Sequence, residues 1–183
     1  MLRFWEGLTP TMKRILAIIA FFLLAIIITI AGVLTPLSDE DADALGKGLN
    51  QTRETVNSLE SVQQVSFIFG NNFMMCLAGF VPIAGPAFEC YVLYSTGVVI
   101  AADSYNKANP LLVFFLLFLF PFTWLEFLAY SVAMAESFWL TWRLIQRRGR
   151  NEIKNTCMFI ALCAVLLLVA AIIEVAFMSL LGS

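Results

Sequence analysis

Long apolar runs dominate this chain and decide what it can fold into. Of its residues, 61% are hydrophobic and 13% charged, and the mean hydropathy is +0.87. A soluble domain carries about 45–50% apolar and about 25% charged residues, so the composition indicates an integral membrane protein. Four runs are long enough, or nearly so, to cross about 30 Å of hydrocarbon: Ile15–Leu34, Pro86–Ala102, Leu111–Leu140 and Thr156–Leu181.

A fifth run, Ser66–Ile83, is shorter and contains Gly70, Asn71 and Asn72. Counting it as a helix, we expect an all-α membrane protein with about five transmembrane helices plus one outer amphipathic helical segment. The first run exceeds the usual apolar core of a signal peptide, about 7–15 residues, so we interpret it as a span rather than a cleaved leader.

The lysines and arginines predict the orientation, because cytoplasmic flanks retain them. With five spans, eight basic residues lie on the face of the N-terminus and three on the other: Arg3, Lys13, Arg14, Arg143, Arg147, Arg148, Arg150 and Lys154 against Lys47, Arg53 and Lys107. We therefore expect a multi-pass cell-membrane protein with its N-terminus cytoplasmic and its C-terminus outside. The predicted order is a cytoplasmic segment 1–14, transmembrane helix 15–34, an extracytoplasmic segment 35–65, and a four-helix membrane domain 66–183 with a basic cytoplasmic loop 141–155.

The extracytoplasmic segment begins with the signals of a helix start. Ser38 can cap it and Asp41 can complete a capping box, whereas Gly46 and Gly48 are expected to break or bend it. Farther along, Leu49, Val56 and Leu59 recur at helical spacing and form a narrow apolar stripe. The sequence leaves two interpretations open: a solvated helix lying on the membrane surface, or a docking surface for a partner.

Few residues of this chain suit catalysis. It has no histidine, and it contains no nucleotide-binding, serine-hydrolase or zinc-protease motif. Its four cysteines lie within apolar runs and read as small buried hydrophobes: Cys76, Cys90, Cys157 and Cys163. We therefore expect a protein that is not an enzyme and that uses no cofactor, metal or nucleic acid.

Three short stretches resemble signatures of the stage II sporulation protein M family. They are "SFIFGNNF" (Ser66–Phe73), "PFTWLEFLA" (Pro121–Ala129) and "AAIIEVAF" (Ala170–Phe177). The resemblance points to four positions as family residues, namely Asn72, Pro121, Glu126 and Glu174. The family usually has His-Gly after the proline, where this chain has Phe122 and Thr123. Because members occur in bacteria and archaea that never sporulate, the resemblance implies a small membrane protein with partners and no specific activity.

Four glutamates in the apolar runs need an explanation, since an unpaired carboxylate in hydrocarbon costs about 2.5–3.5 kcal/mol on insertion scales. Counting depth at about 1.5 Å per residue along straight helices predicts an inner polar layer of Glu89 and Glu126 and an outer layer of Asn72 and Glu174. It places Glu136 near the headgroups beside Arg143. We expect Glu126 to be protonated and bonded across helices, and Pro121 to kink the fourth span.

These features favour a non-enzymatic integral membrane subunit or scaffold of a larger complex, in contact with lipid and with other membrane subunits or copies of itself. The alternative is the membrane half of a transporter or permease with a carboxylate-based proton or ion path, because paired membrane carboxylates are typical of proton relays. Copurification with or without an ATPase would separate the two.

Overall fold

The computed structural model describes residues 7–147 and 149–181. Arg3 and Arg148, which contribute to the predicted orientation, lie outside these residues, as does the side chain of Arg150. The described chain is helical throughout, with seven helices: α1 (Pro10–Val33), α2 (Asp39–Asn57), α3 (Ser61–Gly79), α4 (Ala84–Ser104), α5 (Pro110–Leu117), α6 (Pro121–Ile145) and α7 (Gly149–Leu181).

Local sequence signals account for where these helices start. Ser38 accepts a hydrogen bond from the backbone N–H of Asp41 at 3.1 Å, which confirms the predicted cap of α2. Thr9 caps α1 and Asn109 caps α5, each ahead of a proline at the first helical position. Pro82 lies in the short turn between the next two helices, since α3 ends at Gly79 and α4 begins at Ala84.

Two segments are more helical than the sequence predicts. Gly46 and Gly48 do not break α2, because this helix is continuous from Asp39 to Asn57. Much of the predicted basic loop 141–155 is also helical, and residues 146–148 connect α6 to α7.

The fourth apolar run is a broken element rather than one kinked helix. Helices α5 and α6 meet at an angle of 88° across residues 118–120. Proline at 121 cannot donate a backbone hydrogen bond to the preceding turn, and two side chains of the new helix donate to α5 instead. Thr123 Oγ1 donates to Leu117 O at 2.8 Å, and Trp124 Nε1 donates to Phe118 O at 2.7 Å.

By length and composition, three of the described helices could cross a membrane, or four if the broken α5 and α6 pair forms one span. This is fewer than the five predicted. The difference lies in α3, which has 19 residues but is not among these candidates. Gln63, Gln64, Asn71 and Asn72 lower its hydropathy.

Polar contacts mark two opposite ends of the bundle. At one, here called the Arg14 end, Arg14 of α1 pairs with Glu136 of α6 and Glu152 of α7. At the other, called the α2 end, Arg53 of α2 pairs with Asp103 of α4. Helix α3 runs between the two ends. Near its start, Gln64 Nε2 donates to Val56 O at 3.1 Å. Beyond its last residue, Ser137 Oγ donates to Val81 O at 2.6 Å.

The centre of the bundle is α6, in which every residue from 129 to 137 is buried. Thr123, Tyr130, Ala133 and Ser137, which helical spacing places on one face of α6, are all buried. Beside it, α1 and α4 cross closely where Thr29 and Gly32 of α1 meet Gly97 of α4.

Candidate functional site

A polar cavity of about 620 Å³ lies at the α2 end of the bundle. We call it the α2 cavity, because Leu49, Arg53 and Val56 of α2 form one wall. The other walls come from four helices, with Asn71 and Asn72 on α3, Thr96 on α4, Glu126 on α6 and Glu174 on α7. All three sequence stretches that carry the family resemblance therefore contribute side chains to one space.

The polar side chains of this cavity include one strong cross-helix bond. Asn72 Nδ2 donates to Glu126 Oε1 at 2.6 Å, which joins α3 to α6. Glu174 lines the same cavity and lies close enough for its charge to act on Glu126. Two carboxyl groups and a carboxamide can share protons or bind a cation here, and they can equally fix the register of α3, α6 and α7.

The structure corrects the predicted membership of the polar layers. Asn72 and Glu174 do line one space, as expected, but Glu126 belongs with them and not with Glu89. The sequence prediction measures the depth of Glu126 from Leu111, as if one straight helix joined the two residues. Because the chain turns by 88° before Pro121, Glu126 is only about 8 Å along α6 at 1.5 Å per residue.

Glu89 lies apart from the cavity and is fully buried beside the end of α3. Neither of its carboxyl oxygens has a hydrogen-bond partner among the described residues. Gly79 leaves room for this group, because a Cβ there would lie 2.9 Å from the carboxyl carbon of Glu89. An ionised carboxylate would be very costly at such a place, so we expect Glu89 to carry a proton and to act as packing.

Glu136 is the glutamate whose surroundings differ most from the prediction. It is fully buried within the bundle, and its partner is Arg14 rather than Arg143. Arg14 Nη1 donates to Glu136 Oε1 and Oε2 at 2.9 and 2.8 Å, and its Nη2 donates to Glu152. Arg143 instead lies 3.7 Å from Glu152. The sequence shows each residue, but 122 positions separate Arg14 from Glu136.

The apolar stripe of α2 packs on the chain's own bundle. Val56 is buried, Leu49 and Leu59 are half-buried, and both Leu49 and Val56 line the α2 cavity. In this arrangement the stripe closes the cavity and leaves the opposite, polar face of α2 outward. Docking of a partner on Leu49, Val56 and Leu59 would require α2 to move away.

The positions where this chain departs from the family pattern have structural roles. Thr123 holds the break before α6, through its bond to Leu117. Phe122 packs on aromatic rings, with centroids 5.4 Å from Phe120 and 6.5 Å from Phe177 of α7. Pro121 starts α6 and so places Glu126 at the cavity.

The cysteines only partly fit the prediction of buried hydrophobes. Cys76 and Cys163 are fully buried, and both thiols lie against the carbonyl oxygen of Ala129, at 3.8 and 3.6 Å. Cys90 is half-buried and Cys157 is exposed. Across residues 7–147 and 149–181, no cluster of three or more histidine, cysteine, aspartate or glutamate side chains could hold a metal ion.

The fold and the α2 cavity define a multi-pass helical membrane protein with a cavity under α2. The chain belongs to the stage II sporulation protein M family, whose model matches residues 18–179 and thus α1 to α7 almost entirely. Neither the curated proteins nor the solved structures include a match to this chain.

Proposed function

We propose that this protein is a non-enzymatic integral membrane subunit of a larger assembly, and that α2 is the surface it offers to a partner outside the membrane. The observation that carries the proposal is the way α2 is held. Arg53 donates to both carboxylate oxygens of Asp103 at 3.0 and 2.9 Å, and Tyr105 Oη donates to Asp39 at 2.7 Å. A connecting segment that only had to span two helices would not need these bonds.

The charge on α2 supports a basic or polar partner. The bond to Asp103 raises the pKa of Arg53, so its guanidinium stays charged at every physiological pH. With Arg53 thus committed to the bundle, the outward residues include Glu40, Asp43 and Glu54, all exposed. A fixed helix with an acidic face can recognise a complementary surface without first paying for its own ordering.

The proposed topology has five crossings, by α1, α3, α4, α6 and α7. Two observations support α3 as a crossing element despite its low hydropathy. It runs from the α2 end to the Arg14 end, and its polar residues Asn71 and Asn72 line the α2 cavity. The basic residues of the Arg14 end then lie in the cytoplasm. The N-terminus is cytoplasmic and the C-terminus lies outside.

Releasing α2 from the bundle tests whether it is the partner surface. Replacing Arg53 with glutamine should lower the yield of copurified partner subunits about fivefold or more, since the bidentate bond that fixes α2 is lost. Because the pair is partly exposed, the cost in free energy of unfolding should stay at about 1 kcal/mol or less. The matched control is Lys154→Gln, which removes the same charge from an exposed side chain of α7, away from α2. Partners retained by Arg53→Gln, with α2 newly open to protease, would refute the proposed surface.

Labelling of single-cysteine variants in intact cells tests the orientation. In a chain whose native cysteines are replaced by alanine, a cysteine at Gly48 should react with an impermeant maleimide added outside. A cysteine at Arg147 should react only after the membrane is opened. The reverse pattern would invert the topology.

A second candidate function, a proton or cation path, is favoured by the two carboxyl groups of the α2 cavity. If the α2 cavity is such a path, the protein in vesicles should dissipate a proton or cation gradient. Glu126→Gln should then abolish the dissipation without loss of folding. As a structural bond, Glu126→Gln should be tolerated, and Glu126→Leu should cost about 1–3 kcal/mol because Asn72 loses its acceptor. The exposed Glu54→Gln serves as the control. Vesicles that hold the gradient equally with wild type and variants would exclude the path.

A further inference from the structure

The α3–α4 turn, residues 80–83, contains a strained backbone conformation at Ile83. The φ and ψ angles of this residue are 69° and −56°, and the N–H of Ala84 donates to the carbonyl oxygen of Pro82 at 2.8 Å. A bond between residues two positions apart, around such angles, makes a γ-turn of the positive-φ form, which is rare and strained. Isoleucine is poorly suited to it, because a branched side chain disfavours a positive φ that glycine adopts freely.

Two hydroxyl groups of α6 hold this turn. Thr141 Oγ1 accepts a hydrogen bond from the N–H of Ile83 at 2.9 Å, and Ser137 Oγ donates to Val81 O at 2.6 Å. The side chain of Ile83 contributes little, because it is 80% exposed. Strained residues persist only where surrounding contacts force them, and they concentrate at functional and switching segments. The shape of the α3–α4 turn therefore depends on its contacts with α6.

The same turn keeps the start of α4 against the end of α3. A Cβ at Gly85 would overlap the carbonyl oxygen of Gly79, so the two backbones are in contact there. Glu89, one helical turn farther along α4, is fully buried against Gly79, and its carboxyl oxygens have no hydrogen-bond partner among the described residues. A buried carboxyl without a partner is costly. Separation of the two helix ends would give it water as a partner.

We propose that the α3–α4 turn is a two-state joint that covers and uncovers Glu89. In the closed state, which the structure shows, α6 holds the strained Ile83 and the start of α4 lies on Gly79. In the open state, Ile83 leaves Thr141 and relaxes to a negative φ, the start of α4 moves away from α3, and water reaches Glu89.

Opposing contributions make two states of this turn accessible. Relief of the backbone strain and hydration of the Glu89 carboxyl favour opening. The two hydroxyl bonds from α6 and the contact between the helix ends favour closing. A partner that binds one of the two states more tightly would shift their populations, so the turn can transmit a binding event to the ends of α3 and α4.

Hydrogen–deuterium exchange measures the opening, because three consecutive amides of the turn lose their acceptors when it opens. They are the N–H groups of Ile83, Ala84 and Gly85, which donate to Thr141, Pro82 and Val81. With the wild-type chain in lipid nanodiscs, the protection factors of these amides should be at least tenfold lower than those of the buried segment 129–137 of α6. Such a difference means that the turn opens without unfolding of the bundle.

Substitutions at the turn separate strain from packing. Ile83→Gly removes the strain and should raise the protection factors of the turn about fivefold, whereas Ile83→Ala loses the side chain but keeps a Cβ at positive φ and should stay within about twofold of the wild type. Thr141→Val removes the acceptor of Ile83 and should lower the protection factors about fivefold, and adding Ile83→Gly should cancel this loss. Thr55→Val is the matched control, because the hydroxyl of Thr55 donates to Gln51 O of its own helix.

Carboxyl modification shows whether the opening uncovers Glu89. A water-soluble carbodiimide with glycine ethyl ester converts an accessible carboxyl group into an amide, which is detected in the peptide that contains Glu89. This modification should be about fivefold faster in Thr141→Val than in the wild type and about fivefold slower in Ile83→Gly. The exposed Glu54 should react at the same rate in every variant.

Three outcomes would overturn the proposal. Equal protection in Ile83→Gly and Ile83→Ala would mean that no strain is released. Turn amides as strongly protected as segment 129–137 would mean that the turn opens only when the bundle unfolds. Protection that responds to the variants while Glu89 modification does not would mean that the turn frays without uncovering Glu89. Because the side chain of Ile83 is exposed, its two variants keep the fold and supply the decision if Thr141→Val does not fold.

Discussion

Replacing Arg14 with leucine is expected to lower the midpoint of thermal unfolding by about 10 °C, which corresponds to about 3–5 kcal/mol. Arg14 is the partner of both oxygens of the fully buried Glu136 and also of Glu152. Without it, Glu136 would be left as an unpaired charge inside the bundle. Once Cys90 and Cys157 are replaced by alanine, a thiol-reactive dye can follow unfolding, because Cys76 and Cys163 are fully buried in the folded chain.

The double variant Arg14→Leu with Glu136→Leu distinguishes a lost charge partner from lost packing. A buried ion pair contributes little net stability compared with apolar residues of similar volume, so the double variant should recover most of the loss. The partly exposed pair of Arg53 and Asp103 provides the contrast, since Arg53→Leu should cost about 1 kcal/mol or less. A double variant as unstable as Arg14→Leu alone would mean that Arg14 acts through packing.

Local features of this fold could be predicted because the residues that decide them are adjacent. The cap of α2 by Ser38 and the turn between α3 and α4 each depend on a few consecutive positions. The membrane class follows from composition.

Long-range pairing could not be predicted in the same way. Depth along a straight helix predicts the wrong partner for Glu126, because the chain breaks before Pro121 and a new helix begins there. Similarly, the sequence predicts that Glu136 lies beside Arg143, seven positions away, although its partner in the structure is Arg14 on another helix. Such pairs depend on which helices are neighbours. The spacing of polar residues along one helix does not identify the helix beside it.

One signal in the sequence could have revealed a neighbour. Ala25 and Thr29 on α1, and Gly97 and Ala101 on α4, are pairs of small residues four positions apart, a spacing typical of closely crossing membrane helices. The structure brings one member of each pair, Thr29 and Gly97, together at the crossing of α1 and α4. The apolar stripe of α2 is also visible in the sequence, but the surface on which it packs belongs to the same chain.

The close crossing of α1 and α4 predicts the second large effect. A Cβ added at Gly97 would lie 2.8 Å from Val33 N and 2.9 Å from Gly32 Cα, and it would also overlap Thr29 O. These are main-chain and Cα atoms, which cannot turn aside as a flexible side chain can. The helices would have to separate.

Gly97→Ala should therefore cost about 3 kcal/mol and lower the midpoint of thermal unfolding by about 5–10 °C. The matched control is Gly70→Ala on α3, where a Cβ would meet nothing within 4 Å. There the gain in helix propensity, about 1 kcal/mol at most, should leave the midpoint unchanged or slightly higher. If Gly97→Ala were as stable as Gly70→Ala, α1 and α4 would have to cross at a greater distance, and Gly32 would then tolerate alanine as well.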